Sequence, residues 1–296
     1  VVTHQPKQRL NGVAIIALSS VFFGLMAVTT RLLSGLVPSA QIVTVRFTIG
    51  VVACLGFFLA RRSGPQLKQW KLLLGRGVFG ALAVLTYFFA IERLGAAAAT
   101  VLNYSSPIYA AFFAAWFLGE QSTWLKRTGL LAATLGSALV TLSSAPLTSF
   151  VPDVGAIAGV ASAVVGGAAM TSIRKLRNDT DAVTIFFAFC VVGGLLSAPV
   201  AARAWVPLEG RTLWLCLAVG LFSIGGQLLF TWGMGFTTAT MGSATTQLVP
   251  AVTWVLSVAW LSEPLTPLGT VGALCCVTGV LLGVVQLPLL SRSTQS

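Results

Sequence analysis

The residues that could do chemistry in this chain are few, and their positions exclude most reactions. All seven carboxylates, Glu92, Glu120, Asp153, Asp179, Asp181, Glu209 and Glu263, fall at the ends of apolar stretches or between them. The single histidine, His4, lies in the N-terminal tail. Cys54, Cys190, Cys216, Cys275 and Cys276 all sit inside apolar stretches. The neighbours Cys275 and Cys276 point to different helix faces, and no pair has metal-ligand spacing. Metal chemistry and Cys–His nucleophilic catalysis therefore have no support, and no cofactor is implied. What remains is a set of amides, hydroxyls, indoles and one deep guanidinium. Such groups bind; they do not break bonds.

These groups gather on helical stripes. Gln247, Pro250 and Trp254 lie at i, i+3 and i+7, hence on one face. An equivalent stripe carries Tyr104, Pro107 and Ala111, with Asn103 beside it, while Gln227, Trp232 and Tyr87 lie on neighbouring spans. A buried amide or phenol facing lipid would be costly, so these side chains should face a bundle interior. They either bind substrate or join helices. The binding reading puts Tyr104, Asn103 and Gln247 at a ligand's polar end and Trp254, Tyr87 and Trp232 against its apolar body. Pro107 and Pro250 each remove a helical donor, freeing the carbonyls of Asn103 and Thr246 near mid-span. They are either packing kinks or hinges that gate. Arg46 is the deepest charge, either a substrate contact or a structural cation reaching outward to carbonyls or Glu92. Arg76 is expected to snorkel to the nearer interface. Glu120 and Glu263 are expected to tie helix ends to the following loops.

The elements that must position these residues follow from composition. Of 296 residues, 56% are hydrophobic and 8% charged, against roughly 25% charged in an ordinary soluble protein. The mean hydropathy is +0.91. Ten spans of about 20 residues would use roughly 200 positions and leave no room for a soluble catalytic domain. The spans are expected at about 13–33, 40–60, 70–91, 96–118, 124–143, 154–173, 182–202, 211–234, 239–261 and 267–287. Arg61-Arg62-Ser63-Gly64-Pro65, Ser143-Ser144-Ala145-Pro146 and Arg177-Asn178-Asp179-Thr180 supply turn chemistry between them. Trp70, Trp124, Trp205 and Trp214 fall at span ends, where Trp anchors to the interface.

The net charge of +11 sits in small clusters between spans, which excludes nucleic acid as a partner and fits a loop bias. With a cytoplasmic N-terminus, the inside segments hold Lys7, Arg9, Arg61, Arg62, Lys68, Lys71, Lys126, Arg127, Arg174, Lys175, Arg177 and Arg292. The outside segments hold only Arg31, Arg93, Arg203 and Arg211. Both termini are therefore expected in the cytoplasm, in a cell inner (plasma) membrane. A cleaved signal peptide is not expected, because the first span runs on to a second without an A-x-A-like site.

Sliding the chain over itself by 143 residues reveals an internal repeat. Gly12 falls on Gly155, Ser19 on Ser162, Gly24 on Gly167, Arg31 on Arg174 and Gly77 on Gly220. Pro107 falls on Pro250, Glu120 on Glu263, Gly129 on Gly272 and Gly136 on Gly279. Five spans per unit is an odd number, so the second unit enters the membrane inverted, an architecture of alternating-access transporters. The units are expected at residues 1–146 and 147–296.

Each unit resembles the EamA-type unit of the drug/metabolite transporter superfamily. The likeness rests on Leu94-Gly95-Ala96-Ala97-Ala98-Ala99, the mid-span Pro107, Phe117-Leu118-Gly119-Glu120, and Gly129 with Gly136. The second unit departs from the pattern with Ser262-Glu263-Pro264. The resemblance implies an all-α, ten-helix exporter of small metabolites with a central cavity, closest in impression to aromatic amino acid exporters. Its partners would be a small-molecule substrate and the lipid bilayer, and a monomer would suffice. A carrier of organic anions, sugar phosphates or drugs is the alternative, and for the anions only Arg46 is foreseen in the cavity. An integral-membrane lipid-modifying enzyme would need an acid, His or Cys cluster that the sequence does not show.

Overall fold

The computed structural model describes residues 6–94, 96–144 and 154–292. His4, Gly95, Asp153 and the turn at Ala145 and Pro146 lie outside them, as does the side chain of Glu92. The helices are α1 (Pro6–Leu32), α2 (Ser39–Ala60), α3 (Trp70–Leu94), α4 (Ala96–Asn103), α5 (Ser106–Leu118) and α6 (Trp124–Ser144). The second half repeats the order as α7 (Val154–Leu176), α8 (Ala182–Ala202), α9 (Gly210–Gly233), α10 (Ala239–Thr245), α11 (Leu248–Leu261) and α12 (Pro267–Arg292). Among the described residues, nine spans are long and apolar enough to cross a membrane, counting each of the pairs α4–α5 and α10–α11 as one. The tenth, α6, has the length but is diluted by Lys126, Arg127 and several hydroxyl residues. Leu59, Phe112, Trp116, Leu195, Leu221 and Leu274 point outward, a display a soluble protein could not sustain.

The fourth and ninth spans differ from the expected continuous kinked helices: each is broken in two. α4 stops at Asn103 and α5 restarts at Ser106, with Pro107 its second residue. α10 stops at Thr245 and α11 restarts at Leu248, with Pro250 its third residue. In mid-helix, proline deletes a hydrogen bond and collides with the carbonyl four residues back. In a first turn its missing N–H is an orphan anyway. The chain therefore ends one helix just ahead of each proline and starts another.

The two halves interlock rather than sit side by side. The principal packing pairs are α1 with α9, α3 with α7, α2 with α8 and α6 with α12, and each joins one repeat to the other. The repeated glycines explain how. A Cβ on Gly24 would strike Val252, and one on Gly167 would strike Tyr109. A Cβ on Gly77 would strike Val192, and one on Gly220 would strike Ile49. Each is one contact made twice, because Tyr109 and Val252, like Ile49 and Val192, are repeat counterparts. Along α6 and α12, Gly129 lies against Gly279 and Gly136 against Gly272, backbone to backbone. On the pseudo-two-fold axis, the counterparts Ala133 and Cys276 meet, the thiol donating to the carbonyl at 3.6 Å. Small residues allow this approach where no hydrophobic effect drives helices together. The fold is an all-α polytopic membrane protein of two inverted five-span repeats.

Candidate functional site: a cavity beside the two helix breaks

The breaks meet at the axis. Tyr104 and Gln247 are counterparts, and Gln247 Nε2 donates to the Tyr104 carbonyl at 2.7 Å and to Thr134 Oγ1 at 2.9 Å. Gln247 is wholly buried, and its Oε1 has no partner among the described residues. Short i→i+3 bonds close each break: Ser105 N–H to Leu102 O on one side, Thr246 N–H to Ser243 O on the other.

Beside this junction lies a cavity of about 270 Å³. Phe23 and Met26 of α1, Arg76 of α3, Gly166 and Met170 of α7, Phe189 of α8, and Gln227 and Phe230 of α9 supply much of its wall. Asn103, Tyr104, Ser106, Thr246 and Val249 close it from the breaks. Non-helical backbone at membrane depth is tolerated where it borders protein or a cavity, as here. Asn103 Nδ2 donates to Ser162 Oγ at 3.0 Å, which fixes the amide at the wall. Gln227 is held loosely, its Nε2 lying 3.4 Å from Thr231 Oγ1.

The site residues read from sequence therefore divide. Asn103, Tyr104 and Gln227 line the cavity. Gln247 stands behind Tyr104 and joins the two breaks. The Tyr87 hydroxyl lies 2.6 Å from Thr100 Oγ1 and ties α3 to α4. Trp254 is buried against Gly269 of α12, where a Cβ would lie 2.5 Å from the indole. Trp232 is 46% exposed on the outer surface, edge-on to Phe236. Pro107 and Pro250 start the second half-helices.

Arg46 does not snorkel. Its guanidinium lies 4.9 Å from the Phe47 ring centroid, with Nη1 3.6 Å from Met26 Sδ, just behind the cavity wall.

Arg76 is the residue the sequence reading missed. It is 4% exposed, lines the cavity, and its Nε and Nη1 have no hydrogen-bond partner among the described residues. Instead of snorkelling, it packs 4.2 Å above the Phe189 ring. Gly80, one turn on, makes this possible: a Cβ there would collide with Nη1 and with the Phe189 ring. The spacing Arg76-x-x-x-Gly80 was the available signal. A desolvated cation–π contact gives about 2 kcal/mol, whereas taking an ion out of water costs several kcal/mol even after relaxation. The ring alone does not balance the charge.

Among the described residues, carboxylates appear only at the two ends of the bundle. Glu120 reaches across to the other repeat, Oε1 accepting from Ala239 N–H at 2.8 Å and Oε2 from Thr240 N–H at 3.2 Å and Thr240 Oγ1 at 3.3 Å. At the opposite end of that span, Glu263 pairs with Arg31 of the first repeat at 2.6 Å. Neither ties to its own following loop, as the sequence suggested. The helices ahead of them end in left-handed residues, Gly119 (φ 63°) and Ser262 (φ 54°), which reverse the chain and aim the next side chain inward. The counterpart arginines are used differently: Arg174 Nη1 donates to Asn178 Oδ1 rather than pairing with Glu120.

Inverted repeats, broken helices and a cavity at their junction define a class, that of secondary transporters. The comparisons with known proteins make it specific. The chain belongs to the EamA-like transporter family, whose model matches residues 10–142 and again 153–285. It is 32% identical over 238 residues to the pseudopaline exporter CntI of Pseudomonas aeruginosa, covering 79% of this chain and 82% of that protein. It is 29% identical over 202 residues to a probable terminal-alkyne amino-acid exporter of Streptantibioticus cattleyicolor, covering 63% of each. A solved structure at 20% identity has the same fold, with a TM-score of 0.81 over 94% of this chain and 99% of its own.

Proposed function

We propose that the protein is a secondary transporter that exports small amphipathic metabolites, aromatic or other apolar amino acids first among them, by alternating access. It lies in the inner (plasma) membrane with both termini cytoplasmic, and its repeats divide at about residues 146 and 147. The observation that carries the reading is the cavity beside the two helix breaks, which joins the amides of Asn103 and Gln227 to the rings of Phe23, Phe189 and Phe230. That mixture of few polar groups and much apolar wall suits a small amphipathic ligand. Two relatives named as exporters of small metabolites support the export direction. In this reading Asn103, Tyr104 and Gln227 touch substrate. Gln247 and Tyr87 hold the breaks, and Pro107 and Pro250 let the half-helices swing. The unequal use of Arg31–Glu263 and Arg174…Glu120 at the two ends is what one state of an alternating cycle would display.

Uptake of labelled phenylalanine, leucine and tryptophan into inverted vesicles, with and without a pH gradient, tests the reading. Uptake above that of vesicles lacking the protein is expected for at least one of them. No uptake of any would overturn the amino acid assignment. Single cysteines near Arg62 or Lys175, on a background without the native five, should resist labelling from outside intact cells; external labelling there would reverse the orientation.

A further inference from the structure

We propose that Arg76 anchors a carboxylate on the transported molecule, so that the cavity prefers a small apolar carboxylate over an amide or amine of the same shape. The inference rests on reading the cavity as the transport site, and it names the chemistry of the ligand's charged end. Three observations carry it. Arg76 is almost wholly buried, lines the cavity, and leaves Nε and Nη1 without partners among the described residues. A guanidinium presents its N–H donors as a fork that matches a carboxylate's two oxygens, and it stays charged in proteins. One flat face is covered by Phe189, and the in-plane donors are the part of the group that a carboxylate would take.

The second observation is the absence of a counter-charge. No described residue of the cavity wall is acidic. The Phe189 ring meets Phe47 edge-on with centroids 5.0 Å apart, and Arg46 lies over Phe47 on the far side. Two cations thus share one aromatic pair, and the second stands behind the wall at Met26. Together they make the cavity positive, and no described residue of its wall neutralises them. An ionisable group held this way inside a membrane domain marks a substrate or ion path.

The third observation sets the ligand's size and charge. The rest of the wall joins Phe23, Met170, Phe230 and Val249, which suit an apolar side chain, to the amides of Asn103 and Gln227, whose oxygens can accept from an ammonium. Among the described residues only the Arg76 guanidinium lines the cavity, so a monoanionic carboxylate fits better than a phosphate dianion. The site then has a single cationic pole beside the amides of Asn103 and Gln227.

The test is binding to the purified full-length protein in nanodiscs, by calorimetry, with four probes: 3-phenylpropionate, phenylalanine, phenylalaninamide and phenethylamine. Both carboxylates are expected to bind at least about tenfold more tightly than the amide and the amine, the scale of one charge-assisted hydrogen-bond set. Arg76→Gln should erase that preference and Arg76→Lys should keep part of it. Gly80→Ala, which displaces the guanidinium while keeping its charge, should reduce it. The comparison of acid with amide in the unaltered protein decides the matter even if a variant fails to fold. Equal binding of phenylalanine and phenylalaninamide would overturn the role of Arg76 and leave the amphipathic-metabolite reading standing. Arg76-dependent binding of 3-phenylpropionate without binding or transport of phenylalanine would keep the carboxylate site and remove the amino acid assignment. Failure of both carboxylates to bind at millimolar concentration would also overturn the proposal.

Discussion

Glu120 and Glu263 occupy equivalent positions in the two repeats, yet neutralising them should have unequal effects. The Glu120 carboxylate, itself half-buried, accepts from two backbone N–H groups and one hydroxyl of the buried Ala239 and Thr240 of α10. Glu120→Gln keeps one acceptor oxygen but turns an amide N–H₂ toward a donor N–H. A hydrogen bond to a charged group contributes about 1.5–3 kcal/mol, and one such bond is lost while another weakens. The expected loss of stability is therefore about 1.5–3 kcal/mol. Glu263 instead makes one ion pair with Arg31, whose side chain is 48% exposed. Screening holds such a pair to at most about 1 kcal/mol. Thermal unfolding of the purified variants in detergent should place Glu120→Gln well below Glu263→Gln, with Glu263→Gln near the unaltered protein. Equal destabilisation, or the reverse order, would refute the assignment of Glu120 as a clamp between the repeats. Neither glutamate lies in the cavity wall, so whatever transport the variants retain should keep its pH dependence. Selective loss of that dependence in a variant that folds normally would make the glutamate part of ion coupling.

Three further outcomes follow from the geometry. Gly136→Ala should destabilise the fold far more than Gly56→Ala in a melting experiment, because its Cβ would lie 2.5 Å from the Cys276 backbone nitrogen whereas Gly56 faces open space. Ser262→Gly should raise the melting temperature, relieving a left-handed conformation that costs a non-glycine residue about 1–2 kcal/mol; an unchanged or lower value would contradict the strained cap. Gln247→Ala removes the bond that joins the two breaks and the one to Thr134 of α6, and Tyr104→Ala opens the wall. Each should weaken transport several-fold, about 0.5–1.5 kcal/mol per bond, while the protein still reaches the membrane, and normal transport by both would remove the breaks from the mechanism.

Much of the architecture is legible in the sequence because the bilayer allows so few solutions. Apolar length fixes the spans, and an odd number of them per unit fixes the inversion. The glycines at the 143-residue offset, weak as coincidences in a glycine-rich chain, turn out to mark the contacts between repeats. Gly24 with Gly167 and Gly77 with Gly220 each accept a side chain from the other half. The breaks at Tyr104 and Gln247 were only half legible. Proline announces a lost hydrogen bond, but whether the chain kinks or restarts depends on a partner such as the Gln247 amide, which is distant in sequence. Arg76 was only half legible for a similar reason. Its position near a span end suggested snorkelling, and only the gap left by Gly80 beside Phe189 turns it inward. Trp232 and Trp254 carried the same aromatic signal as a pocket residue, yet one faces outward and the other packs on Gly269. Helical periodicity gives a face, not what that face meets.

The central claim is that substrate passes through the cavity beside the helix breaks, and Gly166 offers a direct test. It lines the cavity, and a Cβ added there would meet only Ser106 Cβ at 3.4 Å and two atoms at 3.9 Å, ordinary contacts. Gly166→Leu should therefore fold while its isobutyl group projects into the cavity and obstructs it. Counterflow of labelled phenylalanine in proteoliposomes, comparing this variant with the unaltered protein at matched amounts of folded protein, is the measurement. The account predicts counterflow by the unaltered protein and almost none by Gly166→Leu at an unchanged melting temperature. Undiminished counterflow through the obstructed cavity would contradict it.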